Sequence, residues 1–289
     1  MNIQVIGKNN IDFIRYICLD PSVDKETRTL MENGMSNRIK WIKKMMSKGL
    51  EILVALEKPR KDVIHYKWVG KMLHSDLAVQ NQVPMGLLEY IPIEQALEPV
   101  KGKNSLFINC IWILPPFWNT GVARSLMKAF IQNAKQTGGA SVIAYEEDRW
   151  FGTSIKYLPS SFFKKFGFKE VDKEGSRLLL FLDLGSKSSP EFIKPKAISS
   201  IETDKITLDI FFNNQCPWSK YMINIIKEGI KKYPKVEINI INTDDRDMIE
   251  QTGISRGIRI NGKPVIKRMA SWEEVEIQIN KIQKKLNKM

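Results

Sequence analysis

Two small residues, Gly121 and Ala123, separate an apolar run from an amphipathic helix in the stretch PPFWNTGVARSL, Pro115 to Leu126. The first N–H groups of a helix have no partner inside it and carry partial positive charge, so they can hold an anion. Glycine has no Cβ and lets a phosphate approach the backbone closely. The pattern predicts a pyrophosphate seat at this helix start; the alternative is a tight strand-to-helix turn without a ligand.

The six residues Trp118 to Ala123 resemble the acyl-CoA loop of the Gcn5-related N-acetyltransferase (GNAT) superfamily, Gln/Arg-x-x-Gly-x-Gly/Ala. Gly121 and Ala123 match this loop, whereas Trp118 stands where the family has Gln or Arg. Two further stretches add to the resemblance. IWILPPF is similar to the family's apolar strand that ends before a proline, and SFFKKFGFKEV is similar to its Tyr-x-x-x-Gly-Phe ending. The resemblance covers about residues 1–185.

This resemblance implies an acetyl-CoA-dependent N-acetyltransferase that passes the acetyl group directly to an amine, without a metal ion. The acceptor is a small-molecule or peptide amine whose identity is not specified. Backbone groups of Ile111 and Ile113, on either side of Trp112, are expected to bind the pantetheine arm. The pyrophosphate is expected on the backbone N–H groups of Trp118, Asn119, Thr120, Gly121, Val122 and Ala123.

Acetyl transfer needs a neutral amine and is helped by an acid that protonates the departing thiolate. The family commonly supplies a tyrosine, but the matching position here is Phe163, which has no proton to give. Tyr145 and Glu146 rank first as replacements, because the strand that carries them flanks the thioester in this fold. Further candidates are Glu147, Tyr157, Glu89 and Tyr90. The alternatives are a proton from water, or a protein that binds CoA without transferring acetyl.

The elements that must position these residues are those of an α/β (α+β) domain with a mixed sheet. Strands are predicted at NIQVIG, LEILVAL, MGLLEYI, LFINCIWIL, ASVIAYE and LLLFLDL. A helix is predicted at SNRIKWIKKMMSKG, with Ser36 as its cap and Gly49 as its stop. Its apolar face could pack on the sheet or lie on a membrane surface, and packing is the favoured reading. The segment 57–84 is expected to form part of the acceptor cleft.

A stretch rich in Ser, Pro and Lys, residues 186–204, predicts a linker. Residues 205–289 follow the order β-α-β-α-β-β-α, with Asn261-Gly262 at a hairpin turn. This order resembles the thioredoxin/glutaredoxin fold. A GNAT domain over residues 1–185 followed by such a domain resembles the GNAT proteins that carry a YoaP-like C-terminal domain.

Cys216 lies at the redox-motif position of that fold, in Cys216-Pro217-Trp218-Ser219. A helix start stabilises a thiolate. Because Ser219 cannot form an internal disulfide, only monothiol chemistry through mixed disulfides is open to this site. Arg256 falls near the position of the fold's usual cis-proline, where it could lower the pKa of Cys216 or hold an anion. The alternatives are redox catalysis by Cys216 and a binding or structural role for this domain.

The 289-residue chain has a formal net charge of +13, which favours anionic ligands; nucleic acid is a competing ligand class, but no basic tract supports it. Three cysteines far apart, without a CxxC pair, predict a reducing compartment. Without a recognisable signal peptide or membrane span, the prediction is a cytoplasmic protein. Because the chain has only two histidines, a catalytic dyad or a metal site built on histidine is nearly excluded. The oligomeric state is not predicted.

Overall fold

The computed structural model describes residues 1–7, 9–19, 24–66, 70–186, 188–194 and 206–286. Its strands are β1 (Asn2–Val5), β2 (Glu51–Glu57), β3 (Val63–Tyr66), β4 (Gly70–Leu73), β5 (Val83–Pro92), β6 (Val100–Lys101), β7 (Leu106–Ile113), β8 (Gly139–Tyr145), β9 (Lys169–Glu174), β10 (Arg177–Asp183), β11 (Glu191–Phe192), β12 (Ile206–Phe212), β13 (Val236–Asn242), β14 (Gly257–Ile260) and β15 (Lys263–Ile266). Its α-helices are α1 (Asp12–Cys18), α2 (Lys25–Met46), α3 (Val122–Ala134), α4 (Ser160–Lys164), α5 (Trp218–Ile230), α6 (Arg246–Thr252) and α7 (Trp272–Leu286).

A seven-stranded sheet organises the N-terminal part in the order β1-β2-β5-β7-β8-β10-β9. Neighbouring strands run antiparallel, except that β7 and β8 run parallel. The sheet is therefore mixed, as the sequence predicts.

Helices cover both faces of this sheet. On β2, Ile52 and Val54 belong to the core shared with α1 and α2, whereas Leu53 and Ala55 belong to the core shared with α3. A strand buried on both faces needs apolar residues at successive positions, which explains the unbroken run in LEILVAL.

A separate four-stranded sheet forms the C-terminal part, in the order β13-β12-β14-β15. β12 and β13 are parallel, and β14 and β15 add antiparallel strands. Ile226 of α5 and Ile279 of α7 pack with Ile210 of β12 in one buried cluster. The helices and strands of this part follow the order β-α-β-α-β-β-α that the sequence predicts.

The segment predicted to be a linker, residues 186–204, contains a short strand. β11 pairs with β6, and Phe192 is buried. Residues 187 and 195–204 of this segment lie outside the described residues. The domain boundaries at 185 and 205 stay predictions.

Helix α2 is longer at its N-terminal end than the sequence predicts. It begins at Lys25, and the Asp24 carboxylate caps it by accepting a hydrogen bond from the Thr27 N–H at 2.9 Å. Ser36 is not a cap: its hydroxyl donates to the Glu32 carbonyl inside the helix. Serine at a helix interior can satisfy itself in this way, so its identity alone did not mark the helix start.

None of the described helices combines the length and the apolar content that crossing a membrane requires. The cytoplasmic location stays a prediction.

The two parts are joined by polar contacts to main-chain atoms. The Arg246 guanidinium of α6 donates to the carbonyls of Ala96 and Val100, each at 2.6 Å, and to the carbonyl of Glu98 at 3.1 Å. The Glu98 carboxylate accepts hydrogen bonds from the Ser255 hydroxyl and from Arg256, and all three residues are buried. These contacts fix the C-terminal part against the segment between β5 and β7.

Candidate active site

β7 and β8 separate partway along their length. Their parallel pairing covers only residues 106–108, opposite residues 140–142. On its other edge β7 stays paired with β5 as far as Ile113. The edge of β7 from Asn109 to Ile113 that faces β8 is therefore open.

Backbone groups of Ile111 and Ile113 lie along this open edge. The Leu114 N–H donates to the Met85 carbonyl of β5 at 2.9 Å. Because successive residues of a strand direct their backbone groups to opposite edges, Ile111 and Ile113 face away from β5. The Ile113 carbonyl is already bonded, since the Trp118 indole N–H donates to it at 2.7 Å. Both backbone groups of Ile111 and the N–H of Ile113 are left facing the opening.

Helix α3 begins immediately beyond this edge, and Gly121 is its N-cap residue. Gly121 has φ +90°, and a Cβ added there would meet no atom within 4 Å. The left-handed backbone, rather than crowding, therefore requires glycine. The first bond of the helix runs from the Ser125 N–H to the Gly121 carbonyl at 3.0 Å. No side chain of the described residues caps this end, so the N–H groups of residues 121–124 stay available.

A cavity of about 610 Å³ opens beside the free edge of β7. Its walls are residues 109–112 of β7, the segment 150–159 with Phe163 of α4, and residues 215–221 around the start of α5. Arg38 of α2 and Arg256 complete the polar part of the wall. The N-terminal and C-terminal parts thus build one cavity together.

Five aromatic residues of this wall, Trp150, Phe151, Tyr157, Trp218 and Tyr221, form a continuous cluster that we call the aromatic bridge. The Trp150 and Tyr157 rings are stacked, with centroids 5.2 Å apart. Trp218 lies 6.1 Å from Trp150, and Tyr221 lies 5.7 Å from Phe151, centroid to centroid. Phe151 has φ +47°, a left-handed conformation that bulky residues seldom adopt. Packing within the bridge holds this backbone in place.

Glu89, one of the predicted acid candidates, joins the two parts of the chain. Its buried carboxylate accepts hydrogen bonds from Arg38 Nη2 at 2.9 Å, Asn109 Nδ2 at 3.2 Å and Gln215 Nε2 at 3.0 Å. Arg38 Nη1 also donates to the Gln215 carbonyl. Glu89 accepts three hydrogen bonds and does not itself line the cavity. It therefore holds the wall residues Arg38, Asn109 and Gln215 in place and is not positioned for proton transfer. Tyr90 lies elsewhere, bonded to Glu51 and Asn133.

Cys18, Cys110 and Cys216 are far apart in sequence but line this one cavity. All three are free thiols, and burial raises the pKa of each. Within the described residues, no group of three or more His, Cys, Asp or Glu side chains is arranged to hold a metal ion.

The environment of Cys216 differs from the one expected at a reactive helix start. Burial raises its pKa to about 12; the charge of Arg38 and the N–H of Trp218 act in the opposite direction but do not offset burial. Arg256 does not supply the expected lowering, because its guanidinium is bonded to Glu98 and to the Gln215 side chain. At neutral pH the thiol of Cys216 is therefore protonated.

The two first-ranked acid candidates do not line this cavity. Glu146 is 51% exposed and forms an ion pair with Lys173 at 3.3 Å. Glu147 is also exposed, with Lys156 as its partner. Tyr145 is buried behind Tyr157, with ring centroids 4.9 Å apart, and burial raises its pKa to about 12.

Tyr157 is the acid candidate that reaches the cavity. It lines the same cavity as Phe163, and burial, with a smaller contribution from Tyr145, raises its pKa well above the ordinary value. No hydrogen-bond partner of its hydroxyl is found among the described residues. Tyr157 therefore carries a proton at neutral pH and is free to donate it.

The segment 57–84 was expected to form part of the acceptor cleft, and none of its described residues, 57–66 and 70–84, lines this cavity. β3 and β4 form a two-stranded hairpin apart from the main sheet. Sequence reasoning missed Arg38, Gln215, Trp150 and Phe151 as wall residues, whereas Tyr157 was among the predicted acid candidates. The clustered aromatics at Trp150-Phe151 and Trp218-x-x-Tyr221 are the signal that could have indicated them.

Comparison with known proteins shows which family the N-terminal part resembles. The model of the acetyltransferase (GNAT) family matches residues 46–156, from the end of α2 to the segment before α4. A curated relative, the uncharacterized N-acetyltransferase YoaP of Bacillus subtilis (strain 168), is 26% identical over 230 residues, covering 78% of this chain and 77% of that protein.

Two solved structures are also similar to this chain. A GNAT family acetyltransferase from Brucella melitensis in complex with acetyl-CoA is 12% identical, with a TM-score of 0.36 over 65% of this chain and 90% of its own. The N-acetyltransferase YhbS from Escherichia coli in complex with CoA is also 12% identical, with a TM-score of 0.37 over 66% of this chain and 88% of its own.

The predicted resemblance to the GNAT superfamily is confirmed for the N-terminal part of the chain, and so is the prediction that the protein is an N-acetyltransferase. The family match ends before the C-terminal part, and none of these comparisons identifies the acceptor.

Proposed function

We propose that this protein transfers the acetyl group of acetyl-CoA directly to an amine that enters the cavity beside β7. The observation that carries the proposal is the separation of β7 from β8 beyond residue 108, next to a helix start with a left-handed glycine. A gap of this kind exposes main-chain donors and acceptors without breaking the rest of the sheet.

The proposed seat of the donor follows from the groups that are left open. The N–H groups at residues 121–124 suit the pyrophosphate, because a helix start attracts negative charge. Ile111 offers both its N–H and its carbonyl to the amides of pantetheine. Ile113 offers only its N–H, because Trp118 holds its carbonyl. The Trp118 side chain thus links the end of β7 to the turn before α3 through a hydrogen bond.

Tyr157 is the proposed acid for the departing CoA thiolate, in place of the first-ranked Tyr145 and Glu146. Its support is its position in the wall of the cavity that Phe163 also lines, at the place in the sequence where the family commonly has tyrosine. Because burial raises its pKa, the phenol of Tyr157 is protonated at neutral pH. It can therefore give a proton to the thiolate but cannot act as a base. The proposed reaction uses no metal ion.

For residues 206–286 we propose a thioredoxin-like domain that serves as a wall of the acceptor site. The strand order β13-β12-β14-β15 and the position of Cys216 before α5 support this proposal. Redox catalysis by Cys216 is not favoured, since its thiol is protonated at neutral pH. A role in shaping the cavity agrees with the position of Cys216 and Trp218 in its wall.

The test is titration calorimetry of the purified protein with acetyl-CoA, repeated with Gly121→Glu. The matched control is Gly175→Glu: Gly175 also has positive φ and open space around its missing Cβ, but it lies in the turn between β9 and β10. We expect the wild type and Gly175→Glu to bind acetyl-CoA and Gly121→Glu not to bind. Absence of binding by the wild type, or equal binding by both variants, would overturn the proposed seat.

A further inference from the structure

The cavity wall is mostly apolar, although the protein has a net charge of +13. The five residues of the aromatic bridge line it, together with Trp112 of β7 and Phe163. Sites with a volume of this order enclose most of a drug-sized ligand. Pantetheine on Ile111 and Ile113 would occupy the β7 side of the cavity, so a short aliphatic amine would leave the aromatic bridge without a partner.

Each cationic side chain of the wall is paired with a carboxylate. Arg38 is paired with Glu89, Arg256 with Glu98, and Lys156 with Glu147. Glu273, in the first turn of α7, is exposed and has no cationic partner among the described residues. A hydrogen bond from the Ser271 hydroxyl lowers the pKa of Glu273, so its carboxylate is ionised at neutral pH. One unmatched negative charge therefore stands at the rim of an aromatic cavity.

From this arrangement we infer that the acceptor is a primary amine attached to a bulky, apolar and preferably aromatic body, held between the aromatic bridge and β7. This inference rests on the proposed function and specifies its substrate class. Glu273 attracts the ammonium form to the mouth, and aromatic faces attract both the cation and the apolar body.

Entry into the cavity also prepares the amine for reaction. Removal from water disfavours the ammonium form, so the amine releases its proton to solvent as it is buried. The neutral nitrogen then attacks the thioester carbonyl, an N–C bond forms, and the C–S bond breaks. The departing sulfur takes a proton from Tyr157, and the proton that the amide nitrogen loses passes through solvent to the Tyr157 phenolate. The products are an N-acetylated amine and the CoA thiol, and Tyr157 regains its proton.

The experiment measures amine binding by calorimetry to the full-length protein saturated with CoA, using tryptamine and ethylamine as probes. We expect tryptamine to bind at least about 100-fold more tightly than ethylamine, because only tryptamine buries a large apolar surface. We expect Trp218→Leu to weaken tryptamine binding about 10-fold and Glu273→Gln about 3-fold.

Two variants serve as matched controls. Phe212→Leu removes an aromatic ring of the C-terminal part outside the cavity, and Glu170→Gln removes an exposed carboxylate on β9. Both should bind tryptamine as the wild type does. Each cavity variant is also titrated with acetyl-CoA, and unchanged binding of acetyl-CoA shows that it is folded.

The outcomes separate this inference from the proposed function. If the wild type fails to bind acetyl-CoA, the proposed function itself is overturned. If acetyl-CoA binds but tryptamine binds no better than ethylamine, or if Trp218→Leu has no effect, only the substrate class is overturned. Displacement of tryptamine by octanoyl-CoA but not by acetyl-CoA would assign the cavity to a long acyl chain, which also overturns the inference.

Discussion

A Cβ placed on Gly34 of α2 would lie 2.6 Å from the carbonyl oxygen of Pro217, the residue before α5. The two helices therefore meet at backbone distance, and α5 brings Cys216 and Trp218 to the cavity through this contact. Neither backbone can yield without moving a helix, so the missing side chain at Gly34 sets how closely the C-terminal part docks.

We expect Gly34→Ala to lower the free energy of unfolding by about 1–3 kcal/mol, because the added methyl overlaps a fixed carbonyl. The overlap should outweigh the gain in helix propensity, which is about 1 kcal/mol. Urea unfolding followed by circular dichroism measures the change. Gly7→Ala, where a Cβ meets nothing within 4 Å, is the control and should leave stability unchanged. A Gly34→Ala protein as stable as the wild type would contradict the close contact.

Tyr157→Phe should reduce kcat for acetyl transfer about 100-fold while leaving the KM for acetyl-CoA nearly unchanged, because only the proton donor is removed. Tyr145→Phe makes the same chemical change on the neighbouring buried ring and should have a much smaller effect. Steady-state kinetics with an amine that the protein accepts measures both. A larger loss in Tyr145→Phe than in Tyr157→Phe would return the role to Tyr145.

Cys216 should react slowly with iodoacetamide in the folded protein. With a pKa of about 12, its thiolate fraction at pH 8 is about 10⁻⁴, and the rate should rise about tenfold per pH unit while the protein stays folded. Mass spectrometry of the peptide that contains Cys216 gives the rate, and the urea-unfolded chain provides the reference. Labelling that is complete within minutes at pH 7 would contradict the raised pKa of the thiol. Cys216→Ser should retain acetyl transfer.

Glu174 links the two parts by pairing with Arg177 of β10 and Lys267 beyond β15. Burial alone raises the pKa of Glu174, but Arg177 and Lys267 outweigh burial and lower the pKa below its ordinary value. The carboxylate therefore stabilises the fold above the unfolded-state pKa, and this contribution is lost as the pH falls through the folded-state pKa.

We expect Glu174→Gln to be less stable than the wild type at pH 7, and the difference to shrink as the pH falls below the ordinary glutamate pKa, about 4.5, through the lowered folded-state pKa. Urea unfolding across this range measures it. Glu170→Gln, on the exposed side of the same strand, should match the wild type throughout. A difference that stays constant as the pH falls would show that the Glu174 carboxylate is not the cause.

Local patterns in the sequence were sufficient to predict the strand, turn and helix around Gly121, because a run of apolar residues and a glycine at a tight turn depend only on neighbouring positions in the chain. They were also sufficient for the element order after residue 206. Residues whose placement depends on tertiary contacts were not predictable in this way. Glu146 follows directly on a buried strand yet points to Lys173. Arg38 reads as a surface residue of an amphipathic helix yet is 2% exposed, since Glu89 and Gln215 reach it from distant parts of the chain.

The cavity wall extends from Ile17 to Glu273, which gives the site a definite order of assembly during synthesis. The N-terminal sheet leaves the ribosome first, and N-terminal domains generally fold first. Until α5 and α7 have been made, the open edge of β7 faces water and Glu89 lacks the donor that Gln215 provides. In the proposed arrangement, a nascent or prematurely terminated chain therefore holds the elements of the donor seat before the acceptor site exists, and acceptor selection is added by the last part of the protein to be translated.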